Sequence, residues 1–195
     1  MIRRSLLAFT VALFALALIG CGPKWVVVVQ TVPDPFVNQS RFSVLPVDFT
    51  GLEIGAKPEA IYLAEKSEDQ RESFPGDKAG MNEEFTGALL KQARALGFDV
   101  VLATGPNDAP FQIRPSVAWL EPGFYAGIVG APSQVRMKLQ IVLPDGRVLD
   151  EIRMEHRTDG SVFNAASGTR LRTDGRSLGE LTAKYLNTRI HPEQD

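Results

Sequence analysis

The sequence predicts a single α+β domain, a mostly antiparallel or mixed sheet of about five strands with two main helices on one face. Three observations carry that expectation. The stretch QVRMKLQIVLPDGRVLDEIRMEH alternates apolar and polar residues on both sides of Pro-Asp-Gly, as a β-hairpin does. NEEFTGALLKQARALG repeats apolar residues at helical spacing. The elements run strand, strand, helix, strand, strand, hairpin, helix, an order that lets helices return to one side of a sheet.

The first element is WVVVVQTV, Trp25 to Val32, whose β-branched residues favour a strand. PDPFVNQ breaks it, so residues 21–40 read either as a first strand or as an ordered tether. That segment spans at most about 70 Å fully extended. RFSVLPVDF, Arg41 to Phe49, is apolar on both faces, as a central strand would be. Residues 51–80 are polar. PEAIYLAEKSEDQRES suits a short helix from Pro58 to about Lys66, with proline in its first turn. The charges beyond it read as a solvated surface insertion.

The next helix places Phe85, Ala88, Leu89, Gln92 and Leu96 on one face. Glu83 and Glu84 fall in its first turn, where the dipole favours anions, and Gly97 stops it. FDVVLA follows as a buried strand. FQIRPSVAWLE then alternates, with Phe111, Ile113, Val117 and Trp119 on one side, and Pro115 suggests an edge or a bulge.

In the hairpin, a two-residue Asp145-Gly146 turn sets Leu143 opposite Val148, Leu139 opposite Ile152 and Met137 opposite Met154. The other face pairs Gln140 with Glu151 and Arg136 with Glu155. A three-residue Pro-Asp-Gly loop would oppose Leu139 to Glu151, so the pattern selects the shorter turn. The chain closes with RSLGELTAKYLNTRI, in which Ser177 and Glu180 have capping-box spacing and Leu178, Leu181 and Tyr185 follow helically. Residues 191–195 read as a frayed, disordered tail.

The amino terminus carries a different signal. Leu6 to Ile19 is an apolar run of 14 residues with Thr10 its only polar member, preceded by Arg3 and Arg4. A permanent span needs roughly 20 residues, whereas a shorter run behind a basic start suits a secretory signal. Leu18-Ile19-Gly20-Cys21, which holds the only cysteine, resembles the lipobox of bacterial lipoproteins. The resemblance implies that residues 1–20 are cleaved as a signal peptide. Cys21 then carries a diacylglycerol and an N-acyl chain such as palmitate, and two chains are enough for stable anchoring. Gly22 in place of aspartate implies the outer membrane, on its periplasmic side.

Removing residues 1–20 leaves 175, a length for one domain. Arg3 and Arg4 leave with them, giving 19 basic against 23 acidic residues and a net charge near −4. That is not the basic footprint of a nucleic-acid binder, so no nucleic-acid partner is expected.

Chemistry is sparse. The only histidines are His156, expected opposite Val135 at the core edge, and His191 near the end of the chain. No ligand spacing for a metal is present, and Ser167 lacks the Gly-x-Ser-x-Gly elbow. The reading is a non-enzyme without a cofactor beyond its lipid. Two segments stand out. EPGFYAGIVGAP joins two strands, and its Phe124, Tyr125, Ile128 and Val129 either cap the core or form a contact loop for a partner protein or lipid. SGTRLRTDGRSLGE brings Arg170, Arg172 and Arg176 just before a helix start, where an anion would bind; otherwise these arginines pair with surface acids.

The carboxy half, FQIRPSVAWLEPG followed by VRMKLQIVLPDGRVLDE and a closing helix, is similar to a group of uncharacterised bacterial lipoproteins. Their domain resembles the amino-terminal α/β domain of TolB and the penicillin-binding-protein activator lipoproteins. Over Arg41 to Arg189 the resemblance implies a non-enzymatic periplasmic module that works by touching envelope proteins. The alternative is a carrier, which needs a cavity of at least roughly 300 Å³ between sheet and helices for a lipid or small amphiphile. An enzyme would need His156 near an acid and a cleft.

Overall fold

A computed structural model describes residues 24–127 and 129–192. The expected signal segment 1–20, Cys21, Ile128 and residues 193–195 lie outside the described residues. The strands are β1 (Trp25–Gln30), β2 (Arg41–Val44), β3 (Glu53–Ile54), β4 (Lys57–Pro58), β5 (Asp99–Leu102), β6 (Gln112–Glu121), β7 (Phe124–Tyr125), β8 (Gly130–Ala131), β9 (Ser133–Val142) and β10 (Val148–Thr158). The helices are α1 (Glu59–Ala64), α2 (Glu68–Ala95) and α3 (Ser167–Ile190). Eight strands form one mixed sheet in the order β1-β10-β9-β6-β2-β5, with β3 beside β6 and β4 beside β3. Pairing is antiparallel from β1 to β6 and parallel from β6 through β2 to β5. The architecture fits the expected α+β class, but the sheet has eight strands, not about five. The additions are β1, which is a strand and not a tether, and β3 and β4, two residues each and too short to show alternation.

Helices α2 and α3 pack against each other and against one face of the sheet. The layer between them is filled by Phe85 and Leu89 of α2, Leu178, Tyr185 and Leu186 of α3, and Met137, Leu139, Ile152 and Met154 of the sheet, all buried. Phe36, Phe42, Phe98 and Phe111 close one end with ring centroids 5.0–6.1 Å apart.

Three elements differ from expectation, each for a physical reason. Residues 51–80 are not an insertion. They hold β3, β4 and α1, with Leu52, Ile54 and Phe74 buried, and α2 begins at Glu68 rather than near Asn82. Ser67 caps α2 in a capping box with Gln70, and the helix runs through Pro75, which lacks the N–H that would meet the Arg71 carbonyl. Gly97, at φ +88°, ends it as expected.

Helix α3 likewise starts early, at Ser167, and Ser177 and Glu180 lie inside it. Gly175 and Gly179 are not loop residues. A Cβ at either would run into the backbone carbonyl of Met81 or Phe85, so these glycines let α3 approach the α2 backbone.

The β9–β10 hairpin keeps the expected core register, with Leu139 opposite Ile152, Met137 opposite Met154 and His156 opposite Val135. Its turn is nevertheless the three-residue loop: Gly146 N–H donates to the Leu143 carbonyl at 2.9 Å and Gly146 sits at φ +88°. A bulge between Val148 and Asp150 absorbs the extra residue, so the hydrophobic pattern keeps its register despite the longer turn. Pro115 stands in a central strand, not an edge. Carbonyls 113 and 115 and the 117 N–H face β2 and its continuation, so the missing N–H of Pro115 falls at the interruption between Val44 and Asp48.

Candidate functional site

One face of the sheet carries no helix among the described residues. Along β9 and β10, Arg136, Lys138, Arg153 and Glu155 project from that face while Val135, Met137, Leu139, Ile152 and Met154 between them are buried. A bulge in β6 between Val117 and Trp119 adds an aromatic residue. Val117 faces the core opposite Met137, and the irregularity turns Trp119 outward opposite Arg136, where strict alternation would have kept it beside Val117. The expected grouping of Trp119 with Phe111, Ile113 and Val117 is thereby corrected.

The result is a shallow groove of about 820 Å³ bounded by Lys24, Val26, Asp48, Trp119, Lys138 and Arg153. Trp119 donates its indole N–H to the Gly55 carbonyl at 2.7 Å. The Arg136 guanidinium lies 4.1 Å from the Trp119 ring centroid, and its Nε donates to Glu155 at 2.9 Å. Hydrogen bonds from Thr50, hydroxyl and then amide, hold the Asp48 carboxyl below its usual range, and Lys138 adds to the effect. Cations outnumber anions here, with Lys24, Arg136, Lys138 and Arg153 against Asp48 and Glu155. Such a groove can receive an extended segment that brings carboxylates and an apolar surface. The alternation along β9 and β10 was the available sequence signal; the bulge that presents Trp119 had none.

On the helix side, two buried carboxylates organise polar networks. Asp174 accepts from Ser133 Oγ and Thr158 Oγ1, each at 2.6 Å, and lies 2.7 Å from His156 Nδ1. His156 therefore has an acid beside it, but that acid is a hub for three side chains and none of them lines the groove. Asp150 accepts from Tyr185 at 2.5 Å, from Arg189 Nε at 2.8 Å and from the Thr31 amide at 3.0 Å. Burial and then Asp150 push the Tyr185 phenol up. Arg189 also reaches Asp34 and the Thr31 carbonyl, so this lock joins β10, α3 and the chain after β1.

The three arginines read either as an anion site or as partners of surface acids are dispersed along α3, not gathered in a loop. Arg170 is 1 % exposed and donates to the carbonyls of Asn164, Ala165 and Pro122 at 2.6–2.9 Å. Arg176 pairs with Glu84 at 2.8 Å, and Arg172 lies over Gly80 on α2. Arg172 has its charge beside Asp77 of α2, so each of the three arginines already faces protein groups. In the expected contact loop, β7 and β8 pair as a small ribbon; Phe124 and Val129 are exposed, and Tyr125 is half-buried beside Gly160.

No family model matches the chain, and no curated protein matches it. Among solved structures it is similar to the PelC dodecamer from Paraburkholderia phytofirmans, with 9% identity, 80% of this chain and 94% of that one covered, and a TM-score of 0.42. It is also similar to the hypothetical protein CT253 from Chlamydia trachomatis, with 11% identity, 75% and 97% covered, and a TM-score of 0.43. A third is XCC0632 from Xanthomonas campestris, of family DUF330, with 13% identity, 87% and 95% covered, and a TM-score of 0.41. At these scores the likenesses carry no argument about function.

Proposed function

We propose that the protein is a lipoprotein of the bacterial envelope, held at the periplasmic side of the outer membrane by a diacylglycerol and an N-acyl chain on Cys21. There it binds an envelope protein and performs no catalysis. The anchor is supported by the basic start, the apolar run and Leu18-Ile19-Gly20-Cys21 in their order. The observation that carries the binding role is the helix-free sheet face, where Trp119 and Arg136 are held in place and Lys138 and Arg153 stand beside them. Aromatic and cationic side chains fixed in advance lose little freedom on binding, and they suit an extended acidic segment of the partner. A carrier with its ligand between sheet and helices has no specific observation in its favour, since packed side chains fill that layer.

The test is a photo-crosslinking amino acid in place of Ser116, on the groove floor, in cells that carry the intact Cys21. One protein adduct is expected, lost in Lys138→Glu with Arg153→Glu while circular dichroism stays unchanged. An adduct that survives both charge reversals, or no adduct, overturns the binding face.

A further inference from the structure

One end of the sheet gathers the start of β1 and two exposed loops. β6 ends there at Glu121, β9 begins there at Ser133, β10 ends there at Thr158, and Trp25 enters opposite Met154. The connections 122–132 and 159–166 are therefore neighbours, and a Cβ on Gly160 would lie 3.1 Å from that of Tyr125. From them Phe163 (93% exposed), Val162 (72%), Val129 (59%) and Phe124 (53%) stand in solvent. Arg170 fastens both connections through the carbonyls of Pro122, Asn164 and Ala165, so the apolar tips rest on a fixed base.

We propose that this end of the domain lies against the bilayer that holds the acyl chains of Cys21, with Phe163, Val162, Val129 and Phe124 in the boundary between headgroups and chains. The inference rests on the anchor stated under Proposed function and names the surface these loops meet. Cys21 is four residues before Trp25, a reach of about 14 Å at full extension. Trp25 is itself fixed, paired with Met154 and with its ring 5.6 Å from that of Tyr185. Thr158 lies four residues beyond Met154 on the same ladder, about 13 Å further along. The start of β1 faces the end where the tips project, and the four residues back to Cys21 are too few for the domain to stand away from the membrane. Apolar side chains clustered in solvent next to such an attachment are stabilised at the headgroup–chain boundary.

The experiment uses the full acylated protein purified from bacterial membranes and placed in vesicles of phosphatidylethanolamine and phosphatidylglycerol. A benzophenone amino acid replaces Phe163, Val129, Val28 or Asp145 in turn, and adducts are weighed after illumination. Phospholipid adducts are expected at 163 and 129 and none at 145, which lies at the opposite end of the sheet. Absence of lipid adducts at 163 and 129, or lipid adducts at Val28 in their place, overturns the inference and leaves the anchor intact. The mass of the amino-terminal peptide is read separately. A Cys21 without acyl mass overturns the anchor itself, and this inference with it.

Discussion

Arg170 shows how far a single side chain's role depends on its surroundings. Burial lowers its pKa and Asp174, one turn along α3, opposes that effect. Its N–H groups answer three carbonyls, so Arg170→Met leaves those carbonyls without a donor and removes the charge facing Asp174, which keeps Ser133, Thr158 and His156. The expected cost is about 3 kcal/mol in urea unfolding, with faster proteolysis within 122–132 and 159–166. Sequence could show three arginines near glycines but not that one of them is buried, and so an anion site stayed open beside pairing with surface acids. Asp77 offers a pH test. Burial raises its pKa above the ordinary 3.8, and Arg172 offsets part of the rise. The charged form is therefore disfavoured in the folded state: stability from this group is fully present below pH 3.8 and is lost as pH rises through the raised value. Asp77→Asn should raise the melting temperature at pH 7, with the advantage fading as pH falls through the carboxylate range. An advantage independent of pH would refute this account.

Among elements, the α2–α3 contact is the most exacting. Gly179→Ala forces a methyl group toward the Phe85 carbonyl and should cost about 1–3 kcal/mol. Gly87→Ala, on the same pair of helices but with nothing within 4 Å of the added carbon, should stabilise by about 0.5–1 kcal/mol. Chemical denaturation of the two variants should move in opposite directions. The C-terminal half of α2 was legible in its apolar spacing, and Ser67 and Gln70 have the capping pattern that begins it. Pro75, Gly76 and Gly80 concealed the connection, because breakers are tolerated where packing outweighs propensity. The hairpin taught the converse. Its register followed from the hydrophobic pattern, while its turn and its bulge depended on backbone geometry that alternation does not encode.

At the scale of the molecule, helices on one face of a mixed sheet could be read from element order and amphipathicity. The strand order could not, because β2 to β5 is joined through α1 and α2, and residues far apart in sequence become neighbours only by folding. One packed layer joins all the main elements, so unfolding should be cooperative. Tryptophan emission, reporting Trp25 and Trp119 on the sheet, and far-ultraviolet circular dichroism, reporting mainly α2 and α3, should give coincident urea transitions. Separated midpoints would show that sheet and helices are independent units.

The ladder between β1 and β10 has a mechanical consequence. A pull on the chain ahead of Lys24, directed along β1, loads the strand in shear. The five residue pairs from Trp25 to Gln30 then share the tension, and Asp150, Arg189 and Thr31 pin the far end. Peeling from the side would break the same pairs one after another at much lower force. A domain drawn by its amino terminus along this axis is thus gripped by its strongest arrangement of bonds.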